Sequence, residues 1–361
     1  MFNFLNPKIQ GFGIDLSDLS IKIVNLKKKG NDLELVSFGR QEIPVGLIEN
    51  GGIKKEGELI EIIKKSVKEV KGETLKTKYC VVSLPETESF VRLVSLPLMK
   101  KEEVAEAIKW EIEANIPLGL PEIYYDWRVV DLAAGHQDHL DVLIGVLPKK
   151  TVDPYLNVLK KANLKPLAFE IESLAIARAL VPNGCCEKTL LLIDIGAKKT
   201  SLVIFSGQTV YFTASLPISN SSIIATLSEK IKIDVAKAKQ IKIEQGLDYK
   251  NPEGLVMQAL SPPLNEMTDK IKDYINYYQE HLPVSPETKS NTVNEIILCG
   301  GGANFSGLPE FITAKLNIAV AIGNPWVNVF KDAPRNIPGL PIDEALSFTT
   351  AIGLAIRGLA D

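Results

Sequence analysis

The feature that most constrains this chain is a strand–turn–strand pattern that occurs once in each half. Near the start it reads Gly13-Ile14-Asp15-Leu16-Ser17, a short polar turn, then Ser20-Ile21-Lys22-Ile23-Val24. At mid-chain Leu190-Leu191-Leu192-Ile193-Asp194-Ile195-Gly196 leads through a turn into Thr200-Ser201-Leu202-Val203-Ile204-Phe205. Each half turns again, at Lys29-Gly30-Asn31-Asp32 or Ser206-Gly207-Gln208, and enters a third apolar run at 33–36 or 210–214. Asp15 and Asp194 lie about half of the 361-residue chain apart. Duplication at that spacing implies two similar lobes with a cleft between them. An aspartate at a hairpin tip, beside the N–H groups of a tight turn, suits a metal-bound phosphate. The N–H groups hold the oxygens and the carboxylate orders the waters of a Mg²⁺. In a single hairpin such an aspartate is better explained as a turn cap. The matched pair favours phosphate.

A third element points the same way. The buried-strand pattern Ile296-Ile297-Leu298-Cys299 runs into Gly300-Gly301-Gly302-Ala303, and Gly307-Leu308-Pro309 then opens a helical repeat at Phe311, Ile312 and Leu316. A strand, a triple glycine and a helix let the backbone approach a flat or anionic ligand closely. The spacing is not that of a dinucleotide GxGxxG fingerprint.

Composition sets the remaining bounds. With 41 Lys+Arg against 44 Asp+Glu, the net charge of −3 excludes the basic excess of a dedicated nucleic-acid binder. Four cysteines are too few for a disulfide framework, and the adjacent Cys185 and Cys186, with Cys80 and Cys299 in apolar runs, fit a reducing compartment. No apolar run reaches the roughly 18 residues that span a bilayer, and the opening Met1-Phe2-Asn3-Phe4-Leu5-Asn6-Pro7 is too short and polar for a signal peptide. A cytoplasmic protein of two or three domains is expected.

Other motifs read as structure. His136-Gln137-Asp138-His139 lies in a polar loop, with only His281 elsewhere, and reads as solvated rather than as a zinc site. Lys27-Lys28-Lys29 reads as a hairpin tip, Tyr274, Tyr277 and Tyr278 as helix packing, and Arg357 as a side chain lying along a packed face. Val104, Ile108 and Ile112 mark one face of a helix over 101–114.

These residues resemble the actin-like ATPase superfamily. Asp15 to Lys22 is similar to its first phosphate motif, Asp194 to Thr200 to its second, and Ile297 to Ala303 to its adenosine motif. Within the superfamily the chain is most similar to the PilM family of type IV pilus assembly proteins, relatives of the cell-division protein FtsA. That likeness rests on Asn3-Phe4-Leu5, Ser95-Leu96-Pro97, Lys109-Trp110-Glu111-Ile112-Glu113 with Ile116-Pro117, and Phe169-Glu170-Ile171-Glu172. It continues through Gly323-Asn324-Pro325 and the closing 351–359 segment.

The resemblance implies an α/β, actin-like (ribonuclease H-like) duplicated two-lobe fold with an FtsA-type inserted subdomain. Lobe one would comprise 1–84, 164–188 and 341–361, the inserted subdomain 85–163, and lobe two 189–340. It implies ATP and Mg²⁺ as cofactors. Asp15, Ser17, Asp18, Ser20, Lys22, Asp194, Gly196, Ala197, Lys198, Lys199 and Thr200 would face the phosphates. Gly300, Gly301, Gly302, Ala303 and Lys242 would face the nucleoside, and Asp15 and Asp194 would hold Mg²⁺ through water. Two departures stand out: Ser17 replaces the usual glycine, and Asp18 adds a carboxylate expected to repel the phosphates. Weak ATP binding with at most slow turnover follows.

By the same resemblance, the partner would be the cytoplasmic N-terminal peptide of PilN, bound around Trp110, Ile116, Pro117 and Leu118. The protein would sit in the inner-membrane pilus machine, in a ring of copies if it oligomerises, with no membrane insertion of its own. Two rivals share the superfamily. One is a small-molecule kinase, for which Glu170 or Glu172 would be the catalytic base. The other is an FtsA-like filament former.

Overall fold

The computed structural model describes residues 9–30, 32–86, 89–130, 139–247, 254–281, 290–330 and 340–359. The first lobe opens with the expected meander: β1 (Phe12–Leu16), β2 (Ser20–Lys29) and β3 (Asp32–Glu42). β1 and β2 pair antiparallel with Asp15 opposite Lys22. The short pair β4 (Ile48–Glu49) and β5 (Gly52–Ile53) precedes α1 (Glu56–Lys68), and β6 (Lys71–Gly72) and β7 (Tyr79–Leu84) follow. β7 runs parallel to β1. The inserted unit consists of β8 (Phe90–Pro97), α2 (Lys101–Asn115), β9 (Ile123–Val129) and β10 (His139–Pro148), in the sheet order β8-β10-β9. Val104, Ile108 and Ile112 of α2 are buried on this sheet, as their spacing predicts.

The next helix corrects one expected boundary. The resemblance places α3 (Lys149–Lys161) in the insert, but its Val152, Tyr155, Val158 and Leu159 are buried in the core of lobe one. The Tyr155 hydroxyl donates to the Gly51 carbonyl at 2.9 Å. β11 (Lys165–Ile171) then joins the first sheet, giving the order β11-β7-β1-β2-β3-β6, and α4 (Glu172–Leu180) leads to the second lobe.

Lobe two repeats the plan. β12 (Cys186–Ile195), β13 (Thr200–Gly207) and β14 (Thr209–Leu216) form the second meander, followed by α5 (Asn220–Ile231), α6 (Val235–Glu244) and α7 (Leu255–His281). β15 (Val293–Cys299), α8 (Leu308–Leu316) and β16 (Ala319–Ile322) complete a sheet of order β14-β13-β12-β15-β16. β12 lies parallel to β15 as β1 lies parallel to β7, so each hairpin aspartate sits at the end of a strand buried on both sides. The chain returns through α9 (Ile342–Ala345) and α10 (Thr349–Arg357), which packs on α4 and β1. Gly353 is where α10 meets α4: a Cβ there would fall on the Ala175 carbonyl. Among the described residues no helix is long and apolar enough to cross a membrane.

The remaining motifs behave as packing. Tyr278 is buried edge-on to Tyr211, and Tyr274 and Tyr277 lie against Phe212. Lys27 and Lys29 pair with Glu34 across the hairpin. Asn3-Phe4-Leu5 and His136 to Asp138 lie outside the described residues.

Candidate nucleotide cleft

The two hairpins line a shared cavity of about 610 Å³, to which Gly300, Gly301, Lys239 and Lys242 also contribute. Asp15 is fixed on two sides. Lys22 Nζ lies 2.7 Å from one carboxylate oxygen and the Ser83 hydroxyl donates to the other at 3.0 Å. Ser83 escapes sequence reasoning because only the parallel β1–β7 pairing brings it beside a residue so distant in the chain.

Asp194 is half-buried at the end of β12 and lines the cavity. Gly300, at φ +81°, covers it, and the N–H of Gly302 donates to the Ile195 carbonyl at 2.9 Å. Burial pushes the Asp194 carboxyl up to about 7; Glu172 and Asp15 add to the shift, and Lys22 and Lys199 oppose it. Because its ordinary value is 3.8, the folded protein holds a proton here between about pH 4 and 7 that the unfolded chain releases. Stability from this group is therefore complete below about pH 4 and lost as pH rises toward 7. Asp194→Asn should match the parent near pH 4 and be the more stable of the two at pH 8. Urea unfolding of both proteins at the two pH values checks this.

Lys199 spans the lobes, with its Nζ 2.8 Å from the Glu172 carboxylate at the start of α4. Burial works against its ammonium, but the carboxylates of Glu172, Glu86 and Asp194 outweigh that and raise its pKa. Lys242 Nζ donates to Asn220 Oδ1 at 2.8 Å and stands over the Phe305 ring, and burial lowers its pKa to about 8. The cations Lys22, Arg40, Lys198, Lys199, Lys239 and Lys242 outnumber the carboxylates of Asp15, Asp18, Glu172 and Asp194 around the cavity. That balance suits a polyanion.

Several expected placements change. Ser17, Ser20, Gly196 and Ala197 line the cavity, but Thr200 is buried, its hydroxyl donating to the Ile218 carbonyl at 2.7 Å. Ala303 faces the core, and Gly302 is pressed against Ile195. Asp18 does not aim a free charge at the cleft. Its two oxygens accept from the N–H groups of Asn50 and Gly51, each at 2.9 Å, where both residues have positive φ. The repulsion expected of it is thereby reduced. Asp18→Ser should lower stability by about 1–2 kcal/mol through those bonds and leave nucleotide affinity within about twofold, measured by thermal melts and calorimetry.

Glu170 is not a cleft residue. It is buried with both oxygens bound by Arg178, at 2.6 and 2.7 Å, and with Arg357 at 3.1 Å. Arg357, expected to lie along a packed face, is part of this ion pair. With Glu172 paired to Lys199, neither glutamate is the free carboxylate that a kinase base requires. Among the described residues no group of three or more His, Cys, Asp or Glu side chains is arranged to hold a metal directly. Asp15 and Asp194 reach the cavity with Ser83 and Gly300 beside them, and would hold a Mg²⁺ through water rather than directly.

A second cavity, of about 730 Å³, lies between β9 and β10 of the insert, α3, β11, α4 and β13. It contains none of Trp110, Ile116, Pro117 and Leu118. Ile116 and Leu118 pack on the core of the insert itself, and Trp110 is 71% exposed on α2.

The same fold recurs in known proteins. The chain shares 23% identity over 212 residues with the cell division protein FtsA of Neisseria meningitidis serogroup B, covering 54% of this chain and 49% of that protein. The chain thus spans about half the length of the curated relatives it matches. Among solved structures, a PilM-PilN type IV pilus biogenesis complex superposes with a TM-score of 0.81 at 23% identity, covering 98% of this chain and 100% of that one. MreB 5 of Spiroplasma citri bound to AMPPNP gives 0.54 at 13% identity, covering 96% and 95%. These likenesses establish an actin-like α/β fold. The family described as "Type IV pilus assembly protein PilM" matches residues 13–359, nearly the whole chain, and the chain belongs to that family.

Proposed function

We propose that this protein is a nucleotide-binding scaffold of the type IV pilus inner-membrane machine, working at the cytoplasmic face through a membrane-anchored partner. The observation that carries the reading is the pair of hairpin aspartates that share one net cationic cavity with a glycine turn. Asp15 and Asp194 would hold Mg²⁺ through water, the hairpin N–H groups the phosphates, and Gly300, Gly301 and Lys242 the nucleoside. The bound Mg²⁺ would neutralise phosphate charge, and the ion-paired state of Glu170 and Glu172 supports binding rather than efficient turnover.

The partner would be the cytoplasmic N-terminal peptide of PilN, lying in the second cavity. Its apolar walls and β9, the edge strand of the insert's sheet among the described residues, suit an extended peptide. Fluorescence anisotropy with a labelled PilN peptide tests this placement. Leu156→Glu, in the cavity wall, should weaken binding more than tenfold, and Trp110→Ala should leave it unchanged. The reverse ranking would move the site to the outer face of α2.

A further inference from the structure

We propose that the groove between the insert and the lobes selects a peptide carrying one acidic side chain among apolar ones, and that Arg128, Arg178 and Arg357 receive its carboxylate. This rests on the peptide-groove reading above. The walls are apolar, from Leu143, Leu156, Phe169, Leu174 and Phe205, and one end of the groove is charged.

At that end a single buried carboxylate, Glu170, faces three guanidinium groups. Its oxygens are already engaged by Arg178 and Arg357. Arg128, from the edge strand β9, has no hydrogen bond or ion pair among the described residues, yet it lines the same cavity. Partial desolvation and the nearby charges of Arg178 and Arg357 lower its pKa, with Glu170 offsetting only part. Asp126, two residues before Arg128, also lines the cavity, so two carboxylates stand against three permanent cations and one positive charge is left over.

An arriving carboxylate relieves that excess and can accept from Arg128 and from the unused donors of Arg357. The same group would be disfavoured along the apolar walls, so the corner also sets the register of the peptide. The exposed edge of β9, with Tyr124 and Tyr125 along it, offers backbone pairing that a free small anion does not use.

Selection of random dodecapeptides on the full chain tests the proposal. Binders should share apolar residues at alternate positions and an Asp or Glu at one fixed position. Changing that residue to Asn or Gln should weaken binding about tenfold or more, the range for a hydrogen bond to a charged group. Arg128→Met should lower affinity for the acidic peptide similarly and remove its preference over the amide. Arg128→Lys should restore part of it. Because Arg128 is exposed, melting of these variants should match the parent. Apolar binders without an acidic position, displaced by Leu156→Glu but indifferent to Arg128→Met, would overturn the carboxylate assignment and leave the groove standing. Peptides insensitive to Leu156→Glu, or no binders at all, would overturn both.

Discussion

Gly300→Ala is expected to reduce Mg-ATP affinity more than a hundredfold and to lower stability by about 2–4 kcal/mol. A residue with a side chain at φ +81° costs about 1 kcal/mol before any contact is considered. The added Cβ would land on the Asp194 carboxylate and 2.7 Å from the Ile195 carbonyl. Neither neighbour has room to retreat, because Asp194 and Ile195 end a strand paired on both sides. Relief requires moving the second hairpin tip, the element proposed to hold phosphate. Gly301→Ala is the control: its Cβ meets only the Ser347 Cβ, at 3.6 Å, so affinity and melting should stay near the parent. Calorimetry and thermal melts on both variants read the contrast.

Glu170→Ala is the second large effect. Removing the carboxylate leaves Arg178 and Arg357 without their shared partner beside an already unpaired Arg128. Breaking a buried ion pair from one side costs about 3–5 kcal/mol. The lower end applies here, since the Arg178 and Arg357 side chains remain about a third open to solvent (30% and 35%). A loss of about 3 kcal/mol in urea unfolding is expected. Glu170→Met combined with Arg178→Leu should recover part of it, because the stranded charge is then removed as well.

What the amino-acid pattern disclosed and what it hid follow from range. The two meanders, the hairpin aspartates, the glycine turn after 299 and the buried face of α2 are written in residues close together, so periodicity and turn chemistry reveal them. Tertiary pairing decides the rest. Ser83 reaches Asp15 only once β7 lies beside β1, and Asp18 finds Asn50 and Gly51 only once the loop before α1 folds back. The pattern of α3 is compatible with either sheet, so tertiary packing alone decides its place in lobe one. Glu170, Arg178, Arg357 and Arg128 come from β11, α4, α10 and β9, and no local spacing announces that they meet. Even the second cavity was invisible for this reason. The apolar turn at 116–120 looked like an exposed docking edge because its hydrophobic residues had no assigned partners, whereas they pack on their own subdomain.

The central claim is that the hairpin cleft binds nucleotide. Calorimetric titration of Mg-ATP into the full chain, set beside Asp194→Ala, tests it most directly. One saturable site is predicted for the parent, weakened by chelating Mg²⁺ and absent from a variant that still melts cooperatively. Undiminished binding by Asp194→Ala, or a parent that takes up no nucleotide, would contradict the account.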